Sequence, residues 1–257
     1  MDFGLKGKTA IVTGASGGIG KAIARDLAKE GVNLSLIYYT RECNELAVEV
    51  EKYGRQVMTF KADVSKADEV NALVDATYEK FGRIDILVNN AGIAIRGTVE
   101  NTTEEDWDRI MAVNLKSVFL LSKETIKYMK QKGWGRIINI GSVVAKTATN
   151  ARPWLDPGSS DRTGGGAYAA SKAGVHTITN TLAKELSAHG ITVNCIAPGP
   201  IKTAMTPVLP APMKDQMPIN RIGEPEEISA FVVFLASKQA GFMTGETIDI
   251  NGGLWMD

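Results

Sequence analysis

Tyr168 and Lys172 form the pair of side chains with the clearest potential for chemistry. They are four positions apart in a pattern that predicts a helix, so they share one face and their ends can meet. A phenol, with a pKa of about 10, is a poor base at neutral pH, but an adjacent ammonium stabilises the phenolate and lowers that pKa. The pair fits a general acid/base and the cation that tunes it. An exposed helical pair has the same spacing by chance, so the motif needs context.

A glycine-rich turn follows the first predicted strand, where residues 13–20 read Thr-Gly-Ala-Ser-Gly-Gly-Ile-Gly. Glycines permit a tight turn and the close approach of a pyrophosphate, whose charge is met by amides at a helix N-terminus. An ordinary strand-to-helix turn can look similar, but its place in a βαβ series favours dinucleotide binding. The predicted contacts are Gly14, Ser16, Gly17, Gly18, Ile19 and Gly20.

The end of the second predicted strand indicates which dinucleotide binds. Folds that prefer NAD usually place an acid there on the ribose 2′-hydroxyl, and this chain instead has Tyr39, Thr40 and Arg41. Their hydroxyls and guanidinium suit a 2′-phosphate, so NADP (NADPH) is the predicted cofactor in preference to NAD. Two observations weigh against this prediction. Arg41 is also explained as a solvated residue that opens the next helix, and Glu42 makes the local field less favourable for a phosphate.

Composition excludes several classes of function. The 29 basic and 29 acidic residues leave no excess charge for nucleic acid or an anionic membrane. No apolar run reaches the roughly 18 residues of a membrane helix, and no signal segment is recognisable. Cys43 and Cys195 lack disulfide or zinc spacing, and no metal site is predicted. We expect a cytoplasmic protein, in which His176 and His189 have surface or packing roles.

An alternation of strands and helices must position these residues. Short apolar runs alternate with helical patterns along the chain, which predicts an α/β fold: a single-domain, Rossmann-type, doubly wound parallel sheet with helices on both faces. The predicted strands are 9–13, 34–38, 57–61, 84–88, 136–140, 191–196 and 246–250. The predicted helices are 19–30, 42–53, 68–81, 104–132, 167–188 and 226–236.

Two irregular segments interrupt this domain, which is predicted to span residues 1–257. Residues 146–166 are rich in glycine and proline and too long for a mere connection, and we expect an active-site insertion there. Residues 200–220 are dense in proline, which prevents a long helix, and are expected to form a substrate lid.

The motifs, taken together and in order, resemble the short-chain dehydrogenase/reductase family over nearly the whole chain. The combination is far more specific than any one motif. It comprises residues 13–20, Asn89-Asn90-Ala91-Gly92, Asn114, Ser142, Tyr168 with Lys172, and Pro198-Gly199.

The resemblance implies catalytic roles for four residues. Tyr168 would exchange a proton with the substrate oxygen, and Lys172 would lower the pKa of Tyr168 and hold the nicotinamide ribose. Ser142 would hydrogen-bond the substrate oxygen, and Asn114 would hold a water in a proton relay. Tyr168 follows Ser142 by 26 positions, more than is typical of the family, so the insertion is expected beside the substrate. Helix-capping and core roles remain open for Ser142 and Asn114.

The resemblance also implies further cofactor contacts. Asp63 and Val64 would meet the adenine, although Asp63 is also placed to cap the following helix. Asn90, Ala91 and Gly92 would line the adenosine ribose side. Residues after the sixth predicted strand would orient the nicotinamide carboxamide; these are Pro198, Gly199, Ile201 and Thr203.

Substrate and partners follow from a narrower resemblance. Residues 221–227 and 245–253 are similar to bacterial 3-oxoacyl carrier-protein reductases, which implies an NADP-dependent ketoreductase for a 3-oxoacyl thioester or a small ketone. A sugar or polyol dehydrogenase and a non-catalytic cofactor sensor remain alternatives. Relatives are commonly homotetramers, and an acyl carrier protein is a further candidate partner. The basic residues proposed for docking it are equally explained as a solvated helix face; they are Lys127, Lys130, Lys132, Arg136 and Lys184.

Overall fold

A parallel sheet of seven strands forms the centre of the computed structural model, which describes residues 2–95, 97–148, 165–206 and 217–256. The strand order is β3-β2-β1-β4-β5-β6-β7, and every neighbouring pair is parallel. The predicted doubly wound sheet is therefore confirmed. The strands are β1 (Thr9–Thr13), β2 (Asn33–Tyr38), β3 (Val57–Lys61), β4 (Ile86–Asn89), β5 (Gly135–Ile140), β6 (Ile191–Pro198) and β7 (Thr247–Ile250).

Helices cover both faces of this sheet. The described helices are α1 (Gly18–Lys29), α2 (Asn44–Lys52), α3 (Ala67–Phe81), α4 (Glu104–Met111), α5 (Ser117–Lys132), α6 (Val144–Thr147), α7 (Gly166–Leu186) and α8 (Pro225–Ala236). One apolar core contains side chains of α1, α2 and α8, and the other contains side chains of α3, α5 and α7. Strand residues alternate between the two cores, since Val12 of β1 belongs to the first and Ile11 to the second.

The helix predicted over 104–132 contains a local irregularity. Residues Ala112–Lys116 adopt a π-helix between α4 and α5, and Asn114 lies at its centre. Extra residues of this kind within a helix are frequent at functional sites because they re-aim a side chain. Hydrophobic periodicity predicts the continuous helix but carries no signal for such a turn.

The strand predicted over 84–88 begins later than expected. Asp85 is fully buried, and its carboxylate accepts from the Thr9 amide and from the Arg83 guanidinium before β4 starts at Ile86. The carboxylate thus joins β1 to the entry of β4.

Large parts of both irregular segments lie outside the described residues. These include residues 149–164 of the predicted insertion and 207–216 of the predicted lid. Of the lid, Ile201 forms a parallel bridge to Gly223, and Thr203 an antiparallel bridge to Thr206. In the part that is described, no helix has the length and apolarity to cross a membrane, and no group of three or more His, Cys, Asp or Glu side chains could hold a metal ion.

Candidate active site

The glycine turn lies where the strand order reverses between β1 and β4, at the carboxyl ends of these strands. In open α/β sheets this position forms a ligand crevice. Gly14 has a φ of +64°, and a Cβ on Gly20 would lie 2.3 Å from the Gly14 carbonyl oxygen. The close packing of α1 against this turn therefore requires glycine at both positions.

The N-terminus of α1 is suited to an anionic ligand. Gly17 is its N-cap, no side chain caps the helix, and its first turn contains no acidic residue. A Cβ on Gly17 would meet no atom within 4 Å, so space is open at the end of the helix. Free amides, the helix dipole and open space together fit the pyrophosphate of a dinucleotide.

Asn90 fixes the glycine turn from the neighbouring strand. Its Nδ2 donates to the carbonyl oxygens of Thr13 and Gly14, at 2.9 and 3.2 Å. The Thr13 hydroxyl accepts from the amides of Asn90 and Ala91. The structure thus places Asn90 as a clamp on the turn, a contact between residues 76 positions apart that the sequence does not reveal.

Asp63 is already engaged by protein groups at the predicted adenosine end. One carboxylate oxygen accepts from the amide and hydroxyl of Ser65, and the other accepts from Arg109 at 3.0 Å. Burial raises the pKa of Asp63, but the Ser65 and Arg109 hydrogen bonds outweigh burial, and the pKa lies below its usual value. The capping alternative is wrong, because α3 has Lys66 as its N-cap without a side-chain bond.

Sequence reasoning missed Arg109. Its guanidinium lies 5.8 Å from the centroid of the Tyr39 ring, so α4 contributes a cation to the predicted adenosine end. Thr40 and Arg41, which follow Tyr39 in the chain, are exposed. Within the described chain Arg41 has no ion-pair partner. Val64 is buried next to Asp63. The sequence carries no signal for this contact, because Arg109 is the single basic residue of an otherwise acidic helix.

Tyr168 and Ser142 meet across the carboxyl end of the sheet. Ser142 follows β5, and Tyr168 lies in the first turn of α7, where its hydroxyl is close to the Ser142 side chain. Burial raises the pKa of Tyr168, and the nearby Ser142 hydroxyl acts in the opposite direction. The phenol is therefore protonated at neutral pH and held against a second hydroxyl.

Lys172 lies one turn further along α7 and is buried. Its Nζ is 5.8 Å from the Tyr168 ring centroid and donates to the Ile140 carbonyl oxygen at 2.7 Å. Burial lowers the pKa of Lys172 to about 8, so the side chain is still an ammonium at pH 7. The sequence predicts a lowered pKa for Tyr168, whereas in this structure burial is the dominant influence and raises it.

Asn114 is anchored on both sides of its amide. Its Oδ1 accepts from the Ile93 amide at 2.8 Å, and its Nδ2 donates to the Ile93 carbonyl and to the Ser171 hydroxyl. A Cβ on Gly92 would lie 3.4 Å from Asn114 Oδ1 and 3.6 Å from Lys172 Nζ. The π-helical turn therefore places Asn114 beside Lys172.

Residues 198–203, at and after the end of β6, border the crevice next to the glycine turn. A Cβ on Gly18 would lie 2.9 Å from Cγ2 of Thr203, so this threonine borders the start of α1. Gly199 lies against Asn251, and Ile201 is buried. The predicted nicotinamide segment and the predicted pyrophosphate turn therefore meet, as a dinucleotide bound across the crevice requires.

Comparison with known proteins agrees with this geometry. A family model described as enoyl-(acyl carrier protein) reductase matches residues 14–255. The chain belongs to the short-chain dehydrogenase/reductase family. A 3-oxoacyl-[acyl-carrier-protein] reductase FabG of Vibrio cholerae is 42% identical over 257 residues, covering 98% of this chain and 99% of the relative. Nodulation protein G of a Rhizobium species is 41% identical, with 99% of each chain covered.

Solved structures lead to the same family. A short-chain dehydrogenase/reductase from Serratia marcescens superposes with a TM-score of 0.88 at 38% identity, covering 97% of this chain and 98% of that one. The chain is thus a nicotinamide-dependent oxidoreductase of the short-chain family, acting on a CH–OH/C=O centre. The nicotinamide group, when bound, supplies or accepts the hydride.

Two glycine variants test the close approach of α1 to the glycine turn. Gly20→Ala forces its Cβ against the Gly14 carbonyl, and we expect a loss of about 2–3 kcal/mol in unfolding free energy together with loss of cofactor binding. Gly17→Ala adds a Cβ in open space, and its stability should stay within about 1 kcal/mol of the wild type. Urea unfolding measures the stability of each variant, and cofactor fluorescence measures its affinity for the cofactor. Equal stability of the two variants would contradict the close approach at Gly20.

Proposed function

We propose that this chain reduces a 3-oxoacyl thioester or a small ketone with NADPH, and that Tyr168 donates the proton. The observation that carries the proposal is the convergence of Ser142, Tyr168 and Lys172 at the carboxyl ends of β5 and β6. Relatives named 3-oxoacyl-[acyl-carrier-protein] reductase align over almost the whole chain, and they support this substrate class.

Reduction of a ketone needs a proton donor and a partner for the developing alkoxide. A protonated Tyr168 fits the donor, because burial keeps the proton on the phenol. The Ser142 hydroxyl, which is buried and adjacent, fits the group that hydrogen-bonds the substrate oxygen. The two hydroxyls are close together, so one substrate oxygen could contact both.

Lys172 and Asn114 assist Tyr168, the proposed proton donor. As proton transfer leaves a phenolate on Tyr168, the nearby ammonium stabilises the new negative charge. The same ammonium would hold the nicotinamide ribose, whose hydroxyls would replace the Ile140 carbonyl as acceptors. Asn114 occupies the fixed position beside Lys172 from which a water-mediated relay would return the proton.

The proposed NADPH preference depends on Arg41. Replacing Arg41 by Ala removes the exposed guanidinium that would pair with the 2′-phosphate, so we expect NADPH to bind about 10–100-fold more weakly, with NADH binding unchanged. Lys52→Ala, at the other end of α2, is the matched control and should affect neither cofactor. Titrations followed by cofactor fluorescence give both constants. An equal loss for both cofactors would exclude a 2′-phosphate contact.

A groove of about 290 Å³ lies between α4 and the start of α7 and reaches Ala167, the residue before Tyr168. Val99, Trp107 and Ala167 provide apolar surface, and the polar part of the lining is Thr102, Thr103 and Glu104. If the substrate extends into this groove, its apolar surface favours an alkyl or acyl group over a polyol.

Arg136, one of the basic residues proposed for docking a carrier protein, is not on the surface. Arg136 is 5% exposed, donates to the carbonyl oxygens of Gly135 and Ser237, and lies 4.4 Å from the Trp134 ring. Its role is structural, and any docking of an acyl carrier protein would use the exposed lysines of α5 and α7. Exposed Trp107 and Phe119 on α4 and α5 are consistent with the proposed homotetramer, in which these helices would meet between subunits.

The proposal is tested with purified protein and a substrate panel. NADPH oxidation would be followed with acetoacetyl thioesters, small ketones and sugars, and the reverse reaction with polyols and NADP. Turnover on thioesters or ketones with NADPH is expected. Turnover only on polyols would favour the dehydrogenase alternative, and cofactor binding without any turnover would favour a sensor.

A further inference from the structure

His176 lies on the catalytic face of α7, although the sequence assigns it no chemical role. It follows Tyr168 by eight positions and Lys172 by four, which puts all three on one side of the helix. A Cβ on Gly141 would lie 2.5 Å from His176 Nε2 and 2.7 Å from Cys195 Sγ. The imidazole therefore fills the notch that the absent side chain of Gly141 leaves, between β5 and Ser142.

The residues on either side of Gly141 hold the catalytic groups. The Ile140 carbonyl accepts from Lys172, and the Ser142 side chain lies close to the Tyr168 hydroxyl and lowers its pKa. A shift of the segment formed by residues 140–142 would therefore alter its contacts with Lys172 and with Tyr168 together. Two backbone hydrogen bonds also hold this part of the chain. The Gly141 amide donates to the Ile196 carbonyl, and the Val143 amide donates to the Pro198 carbonyl.

An ion pair lies behind the imidazole. Lys146 of α6 donates to Asp249 Oδ2 of β7 at 2.5 Å, and both side chains are largely buried. In the described chain, His176 Nε2 and Asp249 Oδ1 are both buried without a hydrogen-bond partner. A neutral imidazole has one N–H donor and a carboxylate has spare acceptor capacity, so these two atoms are chemically complementary. An aliphatic side chain at position 176 would fill the same notch without burying a nitrogen that lacks a hydrogen-bond partner.

We propose that His176 is a positioning residue: its neutral imidazole, set between the Lys146–Asp249 ion pair and the notch at Gly141, holds the segment that binds Lys172 and Tyr168. The inference rests on the proposed function, in which those two residues act on the substrate. The charged or titratable groups that face His176 are Lys146 from α6, Asp249 from β7, Cys195 from β6 and Lys172 from α7 itself. Burial and the two lysines lower the pKa of His176 to about 4, so the imidazole is neutral at working pH.

The first test replaces the ring. His176→Leu should lower kcat about tenfold with little change in KM for NADPH, because a displaced segment moves Ser142 away from Tyr168. Loss of the Ser142 contact raises the pKa of Tyr168, which 13Cζ resonances of labelled tyrosine report without any turnover. His176→Gln keeps a neutral N–H donor and should restore most of kcat and the Tyr168 pKa. The matched control is His189→Leu, at an exposed histidine beyond the end of α7.

The second test uses the ion pair. Lys146→Met removes a positive charge and should raise the pKa of His176, whereas Asp249→Asn removes a negative charge and should lower it. Both variants break the same pair, so structural damage alone would not move the pKa in opposite directions. With only two histidines in the chain, NMR resolves the ring signals.

The outcomes separate the two proposals. Absence of turnover by the wild-type protein would overturn the proposed function alone, and the tyrosine and histidine resonances would still decide the role of His176. An unchanged Tyr168 pKa in His176→Leu, or equal impairment of the Leu and Gln variants, would reduce His176 to a packing residue. A His176 pKa that is insensitive to both ion-pair variants would also overturn the inference.

Discussion

Replacing Tyr168 by Phe is expected to lower kcat about 10²–10⁴-fold while cofactor affinity and the unfolding free energy stay close to wild type. The variant loses one hydroxyl, which lies close to Ser142 on a ring whose centroid is 5.8 Å from Lys172 Nζ. The ring and its packing remain. The expected loss corresponds to roughly 3–5 kcal/mol of transition-state stabilisation.

Three measurements on this variant distinguish chemistry from structure. Steady-state kinetics give kcat, cofactor fluorescence gives the affinity, and thermal unfolding gives stability. Tyr53→Phe is the matched control, because it removes the same hydroxyl from a tyrosine at the end of α2. Retention of more than a tenth of wild-type kcat by Tyr168→Phe would assign the proton to a different donor.

The alternation of elements and the positions of the motifs could be predicted from the sequence. Strand runs such as that of β1 are apolar on both faces, because helices cover both sides of a parallel sheet. Glycines at 14 and 20 and the spacing of Tyr168 and Lys172 are local patterns. Both patterns predict positions at strand ends, and in the structure both lie at the carboxyl edge of the sheet.

The contacts that set the electrostatics could not be predicted. Lys172 binds the carbonyl of Ile140, and a backbone acceptor has no side-chain signature in a sequence. Arg109 reaches Asp63 across 46 positions, and the His176 imidazole fits against β5 only because Gly141 has no side chain. Each of these contacts depends on how distant elements pack. The same holds for the burial that raises the pKa of Tyr168, whereas the sequence predicts a lowered value.

Replacing Lys172 by Met should make the protein more stable while abolishing useful turnover. Lys172 is 4% exposed, and burial lowers its pKa from 10.5 to about 8. At about 1.4 kcal/mol per pKa unit, keeping this side chain charged at pH 7 costs on the order of 3 kcal/mol of folding stability. Met removes that cost but leaves the Ile140 carbonyl without its donor, so a net gain of roughly 1–2 kcal/mol is expected.

The pH dependence of this difference identifies its cause. Below about pH 8 Lys172 is charged in both the folded and the unfolded chain, and the wild type bears the full cost of burying the charge. Between about pH 8 and 10.5 the unfolded chain binds the proton more tightly, so the unfolding free energy of the wild type rises with pH. The advantage of Lys172→Met should therefore be largest near pH 7 and decline as the pH approaches 10.

Urea unfolding of both proteins at several pH values measures this trend. Lys184→Met is the matched control, since Lys184 is exposed on the same helix and its replacement should leave the unfolding free energy unchanged at every pH. A Lys172→Met protein that is less stable at pH 7, with a difference from wild type that is flat across pH, would show that no buried ammonium is present. The expected result instead means that folding stability is given up to keep a cation beside Tyr168, where the proposed mechanism needs it to stabilise the phenolate left after proton transfer.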